Sequence, residues 1–156
     1  MSEPPQRTGS CLCGAVKLRA VGHPLETHIC HCISCQKSTG VAFSQSTIFK
    51  VDDVGYESAD GSTLRTHKDS SADSGAVVEK SFCGICGSPV RVQSDKFPGL
   101  LGVPAGVIDG EKEDLKPAME LYCDRRSAWL GDTGVGPAAR FAKLPTEDVF
   151  KGTQSP

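Results

Sequence analysis

Eight cysteines, most of them in tight groups, constrain this chain more than any other feature of its sequence. In chain order they are Cys11 and Cys13, then Cys30, Cys32 and Cys35, then Cys83 and Cys86, and finally the isolated Cys123. The first ten residues contain no apolar stretch of the kind found in a secretory signal, so we expect a reducing, intracellular setting. Clustered cysteines in such a setting indicate metal binding or redox chemistry rather than disulfide bonds.

The pair Cys83 and Cys86 lies in the segment CGICG, which is typical of a zinc knuckle. Two thiolates on one tight turn can reach the same tetrahedral ion, and the glycines let backbone amides face the sulfurs. A closed site needs two further ligands. Cys11 and Cys13 supply them if their segment is a strand, because residues two apart share one face. We therefore predict a four-cysteine zinc site with a structural role, since no coordination position stays open.

Three cysteines within six residues, Cys30, Cys32 and Cys35, predict a second zinc ion. Three protein ligands leave the fourth position free for water or substrate, as in catalytic zinc sites. Two alternatives stay open. Cys123 closes the site if it reaches the same ion, although a lone cysteine is more often a small buried residue. A CxxC pair can also be a redox dithiol, but such pairs precede a helix in a βαβ unit, and the sequence shows no such setting.

Three other side chains are candidates for contact with a substrate. His31 alternates with Cys30 and Cys32, so its ring should point away from their sulfurs, and we expect it to be packed or hydrogen bonded rather than a ligand. Tyr122 and Trp129 are expected in the core rather than on a substrate platform. His31 and Tyr122 are nevertheless the only two candidates that we can name for proton transfer.

Alternation of apolar and polar residues predicts a mainly β protein with many turns. Val16, Leu18 and Ala20 are separated by Lys17 and Arg19, which is the period of a half-buried strand. Further strands are predicted within residues 41–51, 76–83, 89–93, 100–108 and 119–123, and residues 67–75 are predicted to form a loop. We expect a flexible arm at residues 1–8, one domain at 9–142 and a tail at 143–156.

Charge and hydropathy exclude two classes of partner. The formal net charge is −2, whereas a nucleic-acid-binding domain is usually strongly basic. No apolar run approaches the roughly 20 residues that a membrane span needs. We expect a soluble cytoplasmic protein that binds neither nucleic acid nor a membrane.

The three cysteine motifs, in this order, resemble the glutathione-dependent formaldehyde-activating enzyme family, which is also called the centromere protein V family. The matching segments are GSCLCGAVKL at 9–18, CHCISC at 30–35 followed by Gly40, FCGICGS at 82–88, GVID at 106–109, and the residues Leu121, Tyr122, Arg126 and Trp129. The resemblance covers about residues 9–142. The chain departs from the family pattern at Glu120, Cys123 and Ala128, where the family often has a histidine, an apolar residue and a proline.

The resemblance implies a β-tent fold, in which antiparallel sheets are pinned by zinc. It implies a structural zinc at Cys11, Cys13, Cys83 and Cys86 and a second zinc at Cys30, Cys32 and Cys35. It also implies a carbon–sulfur lyase that joins glutathione, as co-substrate, to formaldehyde or another electrophile. The alternative is a zinc-stabilised protein-binding module without catalysis, as in a centromeric relative and in a Rab GTPase chaperone of the same fold.

Glutathione carries two carboxylates, so cationic side chains should line the groove that binds it. The candidates in this sequence are Lys37 and Arg126, together with Arg65 and Lys80.

Overall fold

The computed structural model describes residues 3–145 as ten strands, one short α-helix and several 3-10 turns. The elements are β1 Gln6–Ser10, β2 Val16–Val21, β3 Glu26–Cys30, α1 Ile33–Thr39, β4 Ser44–Lys50, β5 Val54–Ser58, β6 Leu64–Asp69, β7 Val78–Cys83, β8 Pro89–Ser94, β9 Leu100–Pro104 and β10 Met119–Leu121. Within these residues, no helix has the length and apolar character needed to cross a membrane.

The strands form two sheets. A three-stranded sheet has the order β1-β2-β5, and a seven-stranded sheet has the order β10-β3-β4-β9-β8-β7-β6. The named strand pairs are antiparallel except β10 and β3, which run parallel. The prediction of a mainly β single domain is therefore confirmed, with one parallel pair at the edge of the larger sheet.

A hydrophobic core lies between the two sheets. Leu18 and Ala20 of β2 pack against Phe49 of β4 and Val103 of β9, and all four are almost fully buried. Lys17 and Arg19, which alternate with the buried residues of β2, are exposed as predicted. Because side chains alternate across a strand, the larger sheet has a second face that does not contact this core. That second face carries the candidate site.

Several element boundaries differ from the prediction. β1 begins at Gln6, so residues 6–8 of the predicted arm are strand. β6 runs to Asp69 and takes the first three residues of the predicted loop, because they pair with β7. β9 ends at Pro104, where a proline without an N–H cannot continue the ladder, and a 3-10 turn follows. β10 ends at Leu121, before a 3-10 turn over Cys123–Arg125. Residues 146–156 of the predicted tail lie outside the described residues.

We expect Gly9→Ala to destabilise the fold. Gly9 of β1 is paired with Leu18 of β2, and a methyl group at Gly9 would lie 2.3 Å from the backbone oxygen of Val107. Because backbone must move to relieve this clash, the free energy of unfolding should fall by about 1–3 kcal/mol in a urea titration. Gly61→Ala is the matched control, since nothing lies within 4 Å of its added methyl group. Equal stability of the two variants would contradict this packing.

Candidate metal centres and the adjoining cavity

Four cysteines from distant parts of the chain form one compact group, the four-cysteine cluster of Cys11, Cys13, Cys83 and Cys86. Their sulfurs all lie within 4.8 Å of one another. The sulfur of Cys13 lies 3.6 Å from that of Cys11 and 3.7 Å from that of Cys83. A tetrahedral zinc ion with Zn–S bonds near 2.3 Å separates its ligand sulfurs by about 3.8 Å. The cluster therefore has a donor set and spacing that can hold a tetrahedral metal ion.

Two tight turns build the four-cysteine cluster. Gly14 has a φ of 75° and donates its N–H to the oxygen of Cys11, and Gly87 has the same φ and donates to the oxygen of Cys83. Both positions favour glycine because other residues rarely adopt positive φ. Cys11 and Cys13 follow the end of β1 at Ser10, so the strand predicted for them is wrong. A turn, not a shared strand face, brings their sulfurs together.

Hydrogen bonds favour the thiolate form of Cys86. Its sulfur lies 3.2 Å from the hydroxyl of Ser88, which also accepts the N–H of Leu12 at 3.1 Å. The Ser88 hydroxyl, followed by the backbone amides of Ser88 and Cys13, lowers the pKa of Cys86 to about 5. Since the thiolate is the form that binds a metal, these contacts prepare the cluster for one.

The other three clustered cysteines form the cysteine triad: Cys30, Cys32 and Cys35. Cys30 ends β3, Cys32 caps the N-terminus of α1, and Cys35 lies in the first turn of that helix. Their sulfurs lie within 4.8 Å of one another, and the Cys35 N–H donates to the Cys32 sulfur at 3.3 Å. The triad can hold a metal ion. Cys123 is not part of this group.

A polar clamp from β6 and β7 holds the loop of the cysteine triad. Lys80 of β7 donates to the backbone oxygen of Ser34 at 2.9 Å and also to its hydroxyl. Asp69 of β6 accepts the Ser34 hydroxyl and lies 3.3 Å from the Lys80 ammonium. The Ser34 hydroxyl, with contributions from Ser71 and Lys80, lowers the pKa of Asp69. Sequence analysis missed Asp69, because it lies in a polar stretch that resembles a loop.

His31 points away from the cysteine triad into a buried ionic network. Its Nε2 lies 2.9 Å from Oε2 of Glu120, and both side chains have no exposed surface. Glu120 also accepts hydrogen bonds from the Arg126 guanidinium at 3.0 Å and from the Thr133 hydroxyl, and Arg140 lies 3.5 Å away. His31 is therefore hydrogen bonded, as expected, and its charged partner is Glu120, which the sequence marked only as a departure from the family pattern.

The same network includes Cys123, whose sulfur lies 3.6 Å from the backbone oxygen of Glu120. One atom each of His31, Glu120 and Cys123 fall within 4.8 Å of one another, a third arrangement compatible with a metal. Burial alone would raise the pKa of Glu120, but hydrogen bonds from Thr133, His31 and Arg126 outweigh it and lower that pKa. With its charge already balanced by arginines, Glu120 is better explained as the centre of an ion-pair network than as a metal ligand.

A cavity of about 660 Å³ lies along the second face of the seven-stranded sheet. All three cysteines of the triad line it, and about half of its other wall residues come from β3, β4, β7, β8 and β9. A cavity of this size is typical of sites for small-molecule ligands. The candidate metal site of the triad therefore opens into a space where a substrate fits.

Only one of the four cationic side chains that were predicted to bind glutathione carboxylates lies on the wall of this cavity. Lys80 lines it, and so does Arg91 of β8, which sequence analysis did not name. Among the described residues, Lys37, Arg65 and Arg126 are not on the cavity wall. Arg126 instead binds Glu120 and the backbone oxygens of the turn that follows it.

Tyr122 and Trp129 have opposite environments. Tyr122 is buried, lines the cavity and adopts a left-handed backbone with a φ of 57°. Burial, and then the charges of Cys30 and Cys32, raises the pKa of the Tyr122 phenol to about 12. Trp129 is 74% exposed, so its predicted place in the core is wrong. It lies in an irregular turn segment that the sheets do not cover.

Comparisons with known proteins agree with this geometry. The family model described as "Glutathione-dependent formaldehyde-activating enzyme" matches residues 6–125. A protein of Halomonas elongata named "Putative glutathione-dependent formaldehyde-activating enzyme" is 26% identical over 144 residues, which cover 90% of each chain. A solved structure of a Rhodobacter sphaeroides protein superposes with a TM-score of 0.54 at 20% identity, covering 69% of this chain and 92% of the other. That likeness supports the fold alone.

We expect Glu120→Gln to destabilise the protein strongly. Removing the charge leaves the buried ends of Arg126 and Arg140 without their common anion, and such changes typically cost about 3–5 kcal/mol. Urea unfolding of the variant measures the loss. Glu111→Gln, the same change at an exposed position, should have almost no effect. A similar small change in both variants would show that the network contributes little to stability.

Proposed function

Because the chain belongs to the glutathione-dependent formaldehyde-activating enzyme family, we propose that it is a zinc-dependent carbon–sulfur lyase. Its substrate is the adduct of glutathione with formaldehyde or a related electrophile, made or cleaved according to concentration. The observation that carries this proposal is the cysteine triad, a group of three sulfurs without a fourth cysteine, on the wall of a ligand-sized cavity. Three ligands leave a coordination position for the substrate thiol.

Two zinc ions per chain fit the donor atoms. Both groups consist only of cysteine sulfurs, and thiolates favour zinc among the common structural ions. In the four-cysteine cluster, Cys11 and Cys13 follow β1 of the smaller sheet, Cys83 ends β7 of the larger sheet, and Cys86 lies in the turn after it. A zinc ion there joins the two sheets, which is the role of the structural metal in a β-tent fold.

The proposed reaction adds a thiol to a carbonyl group. The sulfur of glutathione forms a bond to the aldehyde carbon, the carbon–oxygen π bond opens, and the thiol proton ends on the oxygen; cleavage reverses each step. Cys30, Cys32 and Cys35 would hold the zinc ion, which would supply the Lewis acidity that favours deprotonation of an entering thiol and polarises a carbonyl group.

The chain's own residues bind and orient the reactants. The exposed surface of the cavity wall is mostly apolar, and Arg91 supplies positive charge there for a carboxylate of glutathione, whereas Lys80 is held by Asp69 and Ser34. With a pKa near 12, the Tyr122 phenol stays protonated at neutral pH and can donate a hydrogen bond to the aldehyde oxygen. His31 is enclosed with Glu120 and, within residues 3–145, is not on the cavity wall, so Tyr122 is the better candidate for this role.

We expect native mass spectrometry to find two zinc ions per chain, and Cys83→Ser to lose the ion that joins the sheets. Structural zinc contributes roughly 10–16 kcal/mol to the folding of small zinc peptides, which is comparable to the whole stability of a domain, about 5–15 kcal/mol. The variant should therefore be unfolded or insoluble. A soluble Cys83→Ser protein with two zinc ions and an unchanged melting temperature would contradict the assignment.

We expect Cys32→Ser to lose the second zinc ion and the adduct chemistry while keeping its fold, because the four-cysteine cluster still joins the sheets. The assay follows the formation and cleavage of the glutathione–formaldehyde adduct by NMR, together with zinc content and melting temperature. Cys123→Ala is the matched control, since its sulfur contacts Glu120 rather than the triad. It should keep both ions and full turnover.

Two outcomes overturn the enzyme proposal. If Cys123→Ala releases a zinc ion, four thiolates close the second site, and a zinc-stabilised binding module becomes the better account. If the wild-type zinc protein neither forms nor cleaves the adduct, while its triad holds zinc, the lyase proposal fails directly.

A further inference from the structure

A buried carboxylate on the cavity wall, Glu26, is only half satisfied. Its side chain is 4% exposed, and its Oε1 lies 2.9 Å from Nδ1 of His28. Its Oε2 is buried and forms no hydrogen bond within the part of the chain that the structure describes. Leaving a buried polar atom unpaired typically costs about 1–3 kcal/mol. Because Glu26 is among the residues that line the cavity, a ligand there can supply the hydrogen-bond donor that this carboxylate lacks.

The hydrogen bond to His28 orients the Glu26 carboxylate. Nδ1 of His28 lies 2.9 Å from Oε1 of Glu26, so this hydrogen bond fixes the orientation of the carboxylate. His28 is thereby a positioning residue that occupies one oxygen and leaves Oε2 for another donor. Both side chains line the cavity.

Glu26 lies on the same strand face as the cysteine triad. In β3, Glu26, His28 and Cys30 occupy alternate positions, and all three line the cavity. Four residues of strand separate the Cα atoms of Glu26 and Cys30 by about 13 Å. The cavity wall therefore has the cysteine triad at one point and the Glu26 carboxylate further along the same strand, at a distance that a ligand of peptide size can span.

The distribution of charge in the cavity matches glutathione, which has one thiol, one primary ammonium group and two carboxylates. Eight bonds separate its sulfur from its ammonium nitrogen, which is about 10 Å in extended form. Arg91 lines the cavity as a partner for a carboxylate, whereas Lys80 on the same wall is already paired with Asp69 and Ser34. Of the two acidic residues on the wall, Asp73 already accepts from Arg125 and from the N–H of Ile33. Glu26 is the acidic residue on the wall that has an oxygen without a hydrogen-bond partner among the described residues.

We propose that Glu26, positioned by His28, binds the primary ammonium group of the thiol co-substrate while the thiol occupies the triad. This inference rests on the proposed function, since it names the part of glutathione that one residue recognises. It gives the site a means of selecting thiols that carry an ammonium group at this distance.

The test measures binding to the zinc-loaded protein by calorimetry, with S-methylglutathione and its N-acetylated form as the two probes. The S-methyl group prevents thiol exchange and adduct formation, and acetylation removes only the ammonium charge. A hydrogen bond between charged groups corresponds to a preference of roughly 10- to 100-fold for the unacetylated probe in the wild type. Glu26→Gln should abolish this preference. Glu57→Gln, the same change on an exposed position of β5, should retain it.

Equal affinity of the wild type for the two probes overturns the inference, as does an unchanged preference in a folded Glu26→Gln variant. If Glu26→Gln does not fold, Glu26→Asp provides the comparison, because it keeps the charge but withdraws it by one methylene. A preference as large as that of the wild type in Glu26→Asp overturns the inference, and a reduced one supports it.

Adduct formation, measured on the same preparations, separates this inference from the proposed function. Adduct turnover without a Glu26-dependent preference leaves the lyase standing and overturns the ammonium site. A Glu26-dependent preference without any turnover supports the ammonium site and overturns the lyase. Failure of the wild type to bind either probe overturns the ammonium site, and the lyase proposal fails with it only if adduct turnover is also absent.

Discussion

The rest of this structure depends on the approach of four sulfurs at the junction of two sheets. Cys11 and Cys13 come from a turn after β1, and Cys83 and Cys86 come from a knuckle that begins at the last residue of β7, so the cluster links the smaller sheet to the larger one. Four thiolates at this spacing repel one another unless a cation lies between them. If the cluster holds the proposed metal ion, metal binding and the docking of the sheets are one event. The hydrophobic core around Phe49 lies between the two sheets and further stabilises the junction that the four sulfurs form.

The larger sheet uses its two faces differently. One face packs on the core, and the other lines the cavity into which the cysteine triad opens. The triad is secured from two directions: Lys80 and Asp69 hold the loop at Ser34, and the buried Glu120 holds His31, the residue between two triad cysteines. These contacts fix the positions of the three thiols. Under the proposed function, such preorganisation would let the triad hold a metal ion and keep one coordination position open.

Sequence reasoning was strongest where the signal is local. The grouping of the cysteines as four and three, the alternation in β2 and the resemblance to the family all follow from short spacings, and the structure or the family model agrees with each. It was weaker where the backbone conformation is set by distant partners. Cys11 and Cys13 lie in a turn rather than a strand, residues 67–69 pair with β7 instead of forming a loop, and Trp129 is exposed. In each case the residues on either side are compatible with both the predicted and the observed state, so the local sequence does not choose between them.

The amino-acid sequence by itself determined which residues can hold metal and that the protein is built from short strands, because ligand spacing and side-chain alternation are properties of a few consecutive residues. Only the tertiary structure decided what surrounds those thiols. His31 and Glu120 are 89 positions apart, and Lys80 reaches Ser34 across 46. The half-satisfied Glu26 was equally invisible in the sequence, because its burial and its place beside a cavity arise only when β3 is paired between β4 and β10. Contacts of this kind depend on which strands become neighbours, and chain spacing alone does not encode that choice.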